Sequence, residues 1–270
     1  MTDLSNNLYH VIWQALTERD VHKKITMVRM LYDAYNDQLY HRTPYPVESI
    51  TDAGRPKRPL LVAPKDVAPR RLGSRKGIQA MLHAIAHIEF NAINLALDAA
   101  YRFQQMPEAY YHDWLLVAKE ETYHFSLICQ RLAQLGAQYG DFSAHAGLWE
   151  ACVETEYDVM VRMALVPRVM EARGLDVTPA IQKKLRANGE HRSADLLNII
   201  YRDEHNHVAI GSKWFKYCCA QRQLDYRKTF AELLKTYLKA KIKKPFNIEA
   251  RLQAGFDDLE MALLDKISDT

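Results

Sequence analysis

The sequence is short of chain breakers: ten glycines and ten prolines are spread through 270 residues. That scarcity points away from a turn-dense β architecture and towards helix, and the chain shows no low-complexity tract. Cysteine is scarce too. Cys129, Cys152, Cys218 and Cys219 include no CxxC pair, and two of them are adjacent, which argues against a disulfide framework or a thiolate zinc site and for reduced intracellular thiols. The chain lacks a charged-then-apolar start and any evident apolar run of membrane-spanning length, so a soluble, cytoplasmic protein without a membrane partner is expected. Neither sign of charge prevails, with 36 Lys and Arg against 33 Asp and Glu and a net charge of +3. A protein that coats nucleic acid is not indicated by that balance.

What is present is apolar and periodic. Hydrophobic residues make up 48% of the chain, enough for a large core, and they recur at three- and four-residue spacing. An all-α fold is expected: an up-down-up-down four-helix bundle with extra terminal helices. Residues 1–41 read as N-terminal helices, the second opened by Asp20 as N-cap. Residues 42–76 read as a Pro-rich, basic, extended arm. From Thr43 onward this arm holds six of the ten prolines, and eight Lys or Arg against three acids. Residues 77–222 are the expected bundle, with Ser74 capping its first helix, Pro107 in the first turn of the second, and Gly136 ending the second. A third helix is expected from about Leu148, bent at Pro167 and interrupted at "RGLDVTP"; a fourth runs from about His191 to Arg222. Residues 223–270 read as two amphipathic helices packed on the bundle, joined by the basic "KAKIKKP".

The bundle carries misplaced charge. Glu204 and His207 in "RDEHNH" are three apart, so both side chains leave one helix face and can reach one ion. One other ExxH occurs, Glu121 and His124. Roughly 0.6 such pairs arise by chance in this composition, so placement has to decide, and each pair sits among apolar residues where an unpartnered carboxylate is costly. A lone mid-helix glutamate precedes each pair, Glu89 by 32 residues and Glu171 by 33. In antiparallel helices two residues come level when the turn lies at their midpoint. The midpoints fall at 105 in "QQMP", between 187 and 188 in "ANGE", and for 121 and 171 at 146 in "FSAHAG". Four glutamates and two histidines are therefore predicted to meet at one level, the ligand set of a dinuclear carboxylate centre. Two divalent ions would cancel the four carboxylates. Glu120 and Asp203, each four residues before a ligand histidine, are candidates to orient the imidazoles. Tyr123 and Tyr201 are candidate redox or proton donors, with ordinary packing as the plainer reading. His83 and His87 share a face but have no third ligand nearby in sequence, and His205 points away from Glu204. Glu150, Glu154 and Glu156 fail the midpoint test that Glu171 passes.

The order E, ExxH, E, ExxH resembles the ferritin-like superfamily of rubrerythrins, ribonucleotide reductase small subunits and bacterial multicomponent monooxygenases. The stretches "GRPKRPLLVAPKDVAPRRLGS", "MLHAIAHIEFNAINLALDAAYRF", "EARGLDVTP" and "RDEHNHVAIGSKWF" are more closely similar to a ferritin-like family, domain of unknown function 455, over roughly residues 20–222. The resemblance implies the bundle and its metal ligands and names no substrate. In the oxygen-activating relatives an acid directly before the ExxH glutamate supports a ligand histidine; Asp203 matches that pattern, and Glu120 departs from the usual Asp. The chain lacks the paired CxxC of rubrerythrins, so electrons would come from an external donor.

Oxygen and imidazole ligands suit two iron ions, with Mn/Fe or two Mn as alternatives of identical ligand type. The first functional expectation is an oxidoreductase that uses dioxygen or peroxide to oxidise or hydroxylate a small organic molecule. A second is an iron-handling or peroxide-scavenging protein. A third is a tRNA-modifying hydroxylase or nucleic-acid-binding bundle, with the basic arm on RNA. A homo-oligomer is left open.

Overall fold

A computed structural model describes residues 4–67, 72–237 and 242–268. The chain is all-helical, consistent with a helical bundle carrying extra terminal helices. It divides into two compact units, Met1–Val153 and Glu154–Thr270.

The first unit opens with α1 (Leu8–Thr17) and α2 (Val21–Asn36). Asp20 caps α2 as expected, its carboxylate accepting from the Lys23 N–H at 2.9 Å. Two long helices follow, α3 (Arg75–Arg102) and α4 (Glu108–Gln134), then the short α5 (Gly147–Glu154). Ser74 caps α3 by accepting from the Gly77 N–H at 3.1 Å. The turn after α3 is closed by the hydroxyl of Tyr111, which donates to the Phe103 carbonyl at 3.1 Å. At the far end of this hairpin Gly136 takes φ +74°, the left-handed conformation that only glycine adopts without strain. Its N–H bonds to the Ala133 carbonyl and that of Ala137 to the Leu132 carbonyl, both at 2.9 Å, which closes the last turn of α4. Arg75 and Gln79 from the start of α3 satisfy the Leu135 carbonyl at 2.7–3.0 Å. The hairpin thus fixes how far α3 slides along α4.

By length and composition α3 is apolar enough to cross a membrane, contrary to the expectation that no run would be. However, 89% of its apolar stretch is buried inside the structure, as in the core helix of a globular protein.

The arm is stitched into its unit more firmly than a segment laid on a surface. Leu61 pairs with Ala144, with backbone bonds at 2.8 and 3.0 Å. Pro64–Asp66 forms a 3-10 turn. The Trp149 indole donates to the Ile50 and Thr51 carbonyls at 3.2 Å, and Gly54 lies so close to the backbone of Thr17 and Glu18 that no Cβ would fit. Residues 68–71 of the arm, and 239–241 of the basic C-terminal segment, lie outside the described residues.

The second unit departs from expectation in three places. No single helix runs from Leu148: α5 ends at Glu154, and α6 (Val159–Leu165) starts afresh with Asp158 as its cap, accepting from the Met160 N–H at 2.7 Å. Pro167 is taken up by a π-helical segment, Val166–Glu171, which leads directly into α7 (Ala172–Ala187). The helix is not interrupted at "RGLDVTP". Pro179 stands inside α7, where its missing N–H would leave the Leu175 carbonyl unbonded; that oxygen instead accepts from the Asn247 side-chain amide at 3.3 Å. The turn to α8 (His191–Gln221) is made by Gly189 at φ +77°. Among the described residues three C-terminal helices follow in place of the two expected: α9 (Tyr226–Tyr237), α10 (Ile248–Gln253) and α11 (Asp258–Ser268), the last two separated by Gly255.

Candidate metal centre

The hairpin of α3 and α4 brings Glu89, Glu121 and His124 together in the buried interior of the first unit. One ligand atom from each lies within 4.8 Å of the others. His124 Nδ1 is 3.3 Å from Glu121 Oε2 and 3.4 Å from Glu89 Oε2. Burial, then the neighbouring Glu121 carboxylate, push the Glu89 carboxyl well above its ordinary range. Burial alone would lower His124, but the hydrogen bond to Glu121 and the charge of the nearby Glu89 carboxylate outweigh it and raise the imidazole to about 11. Two acids in a dry interior are thus compensated by protons where no cation stands in for them. Glu89 Oε2 is buried and makes no hydrogen bond among the described residues. A buried acceptor left over in this way fits a metal. This Glu/His group could hold a metal ion.

The second unit carries a matching set, two glutamates and one histidine. His207 is fully buried on α8, with Nδ1 3.8 Å from Glu204 Oε1, and Glu204 Oε2 is shielded from solvent without a hydrogen bond among the described residues. Glu171 closes the π-helical segment, and its Oε2 is likewise shielded. Its height is set by a close approach: the Pro167 ring lies against Gly211 where no side chain would fit. Glu171 lies four residues on from Pro167, and His207 four residues back from Gly211.

The remaining candidates occupy a variety of places. Asp203 accepts from Arg202 Nε at 3.0 Å, and Glu120 is half-buried on α4. Tyr123 is 48% exposed beside His124. The Tyr201 hydroxyl accepts from the Asn247 amide at 2.9 Å, and His205 Nδ1 donates to the Tyr201 carbonyl at 2.8 Å. Glu150 and Glu154 are exposed. His83 and His87 serve packing: His83 Nε2 accepts from the Gly140 N–H at 2.9 Å, and His87 pairs with the Tyr139 hydroxyl at 2.9 Å and the His145 carbonyl at 3.2 Å. Burial lowers His87 to about 4, so its ring stays neutral.

Sequence reasoning missed the buried cations, which among the described residues are Lys24, Arg162, Arg168 and Arg251. Lys24 on α2 is fully buried and donates to the Leu16 carbonyl at 2.9 Å and to Asn94 on α3. Arg168 in the π-helical segment is fully buried as well. A lysine or arginine on a helix reads as solvated by default, and only the odd company of Pro167 hinted otherwise for Arg168.

With this geometry in hand, comparison with known proteins places the chain. A family described as "Protein of unknown function (DUF455)" matches residues 17–262. The chain belongs to the DUF455 family. One relative, an "Uncharacterized protein" of Haemophilus influenzae, is 44% identical over 281 residues, spanning 100% of this chain and 98% of that protein. No solved structure matches. The match runs through both the α3–α4 hairpin and the α7–α8 hairpin, so both sets of Glu and His lie within the DUF455 region.

Proposed function

We propose that this DUF455 protein is a ferritin-like dinuclear metal oxidoreductase. Its centre is built from Glu89, Glu121 and His124 of one hairpin and Glu171, Glu204 and His207 of the other. The observation that carries the reading is the buried Glu89–Glu121–His124 group, with ligand atoms within 4.8 Å of one another and the same residue types repeated at the end of the π-helical segment and on α8. Two iron ions would supply activation of dioxygen or peroxide for oxidation of an organic substrate. The chain's own residues do the rest. Four carboxylates neutralise the ions, the two imidazoles fix their geometry, and the apolar faces of the helices exclude water. Glu120 and Asp203 are assigned to orient the imidazoles, and electrons come from a separate donor. All four cysteines are free thiols, which supports a reducing, cytoplasmic setting.

The test is purification from iron-replete cells, metal analysis, and an optical spectrum after reduction and exposure to oxygen. About two irons per chain with an oxygen-dependent spectrum are expected; a chain that takes up neither iron nor manganese defeats the proposal.

A further inference from the structure

Glu171 is the proposed ligand with the least regular support, because it ends a π-helical segment, a rare form found mostly as single turns inside α-helices. The adjacent Arg168 is the most constrained residue of that segment. Its guanidinium carbon lies 4.9, 4.3 and 4.3 Å from the ring centroids of Phe215, Phe230 and Phe256. Nη2 donates to Glu260 Oε1 at 2.7 Å and Nε to Ser212 Oγ at 3.1 Å. The other oxygen of Glu260 accepts from the Asp257 N–H at 3.1 Å, so the acid is itself held in place. The Arg168 carbonyl accepts from Arg251 Nη1 at 3.4 Å, and Arg251 is clamped by both oxygens of Asp176 at 2.8 and 2.9 Å. Side chain and peptide oxygen of one residue are therefore tied to α8, α10 and α11, three positions before Glu171.

We propose that Arg168 is a positioning residue for Glu171, and that helices α9–α11 exist in this chain to hold the π-helical segment in the shape that presents this carboxylate. The proposal rests on the dinuclear reading above for what Glu171 does, but not for how it is held. A π-helical turn persists only where its surroundings over-determine it. Here Pro167 is pinned against Gly211 and Arg168 is pinned by its ion pair and three aromatic rings. Loosening the ion pair lets the segment relax towards an α-helix, which rotates Glu171 by roughly 100° for each residue of register lost.

The test compares Arg168→Lys and Glu260→Gln in the full chain with Leu185→Ala. Leu185 is a buried α7 residue about four turns beyond Glu171, so its variant controls for lost stability alone. Amide hydrogen exchange of the metal-free protein is read over residues 166–172, and Mn(II) binding is titrated for each variant beside Glu171→Gln and Glu89→Gln. Exchange at 166–172 should quicken about tenfold or more in Arg168→Lys and less in Glu260→Gln. Both should weaken, by about 10- to 100-fold, the same Mn(II) ion that Glu171→Gln weakens, while Leu185→Ala does neither. Unchanged exchange, unchanged Mn(II) affinity, or an equal effect from Leu185→Ala overturns the proposal. A wild-type chain that binds no Mn(II) or iron refutes the dinuclear reading instead, and the exchange comparison then still decides whether Arg168 holds the segment. If Arg168→Lys does not fold, Glu260→Gln, nearly identical in shape, carries the same test.

Discussion

At the scale of single residues, the interior of this protein is unusual for the charges it keeps. Lys24 is fully buried, and burial lowers its amine from 10.5 to about 7, with Glu18 opposing. Between those two values the unfolded chain binds a proton that the folded chain does not, so raising the pH through this window favours the fold. Urea midpoints should therefore rise from pH 7 towards pH 10, and Lys24→Met should remove that rise; an identical slope in both proteins would show that Lys24 does not titrate there. Glu89 and Glu121 keep their place by a different compensation, the His124 imidazole and, on the proposed function, a cation. Glu89→Gln keeps the shape and removes the charge. It should weaken metal binding by at least about a hundredfold, as read by titration.

At the scale of elements, several breaks in helix geometry are answered by a partner from another element. The Leu175 carbonyl, left open by Pro179, is taken by Asn247, whose backbone N–H also donates to Asp176 at 2.9 Å. Asn247→Ala removes the side-chain bond together with the cap of α10. It should cost about 1–2 kcal/mol in urea denaturation. Gly211 is the matching device for Pro167. A Cβ there would collide with the proline ring, so Gly211→Ala should cost about 1–3 kcal/mol. It should also reduce metal uptake by the Glu171, Glu204 and His207 set, because Glu171 is carried on the displaced segment. Normal metal content in a destabilised Gly211→Ala protein would separate packing from ligand placement.

At the scale of the whole molecule, the proposed function makes metal content part of stability. An ion bound to the folded chain stabilises it by about 2.7 kcal/mol at a hundredfold excess over its dissociation constant. Chelation should therefore lower the thermal midpoint, and iron or manganese should restore it. The restoration should fail in a Glu121→Ala and Glu204→Ala double variant. A midpoint indifferent to chelator and metal would leave the buried carboxylates compensated by protons alone.

Several helix ends and the grouping of Glu89 with Glu121 and His124 were legible in the sequence because they depend on local rules. Ser74, Asp20, Gly136 and Gly189 mark helix ends through bonds made within a few residues, and the ExxH spacing follows from the pitch of a single helix. The levelling of Glu89 with Glu121 and His124 was readable from the midpoint of one hairpin, since rise per residue is the same in both limbs. Tertiary structure alone decided the rest. The continuation of α7 through Pro179 depends on Asn247, 68 residues away in the chain, and the π-helical segment depends on Gly211 and Glu260, 44 and 92 residues from their partners. Burial of Lys24 and Arg168 likewise depends on acceptors and aromatic rings supplied by distant helices. Spacing along a chain reports which side chains share a face; it carries no record of what that face will meet.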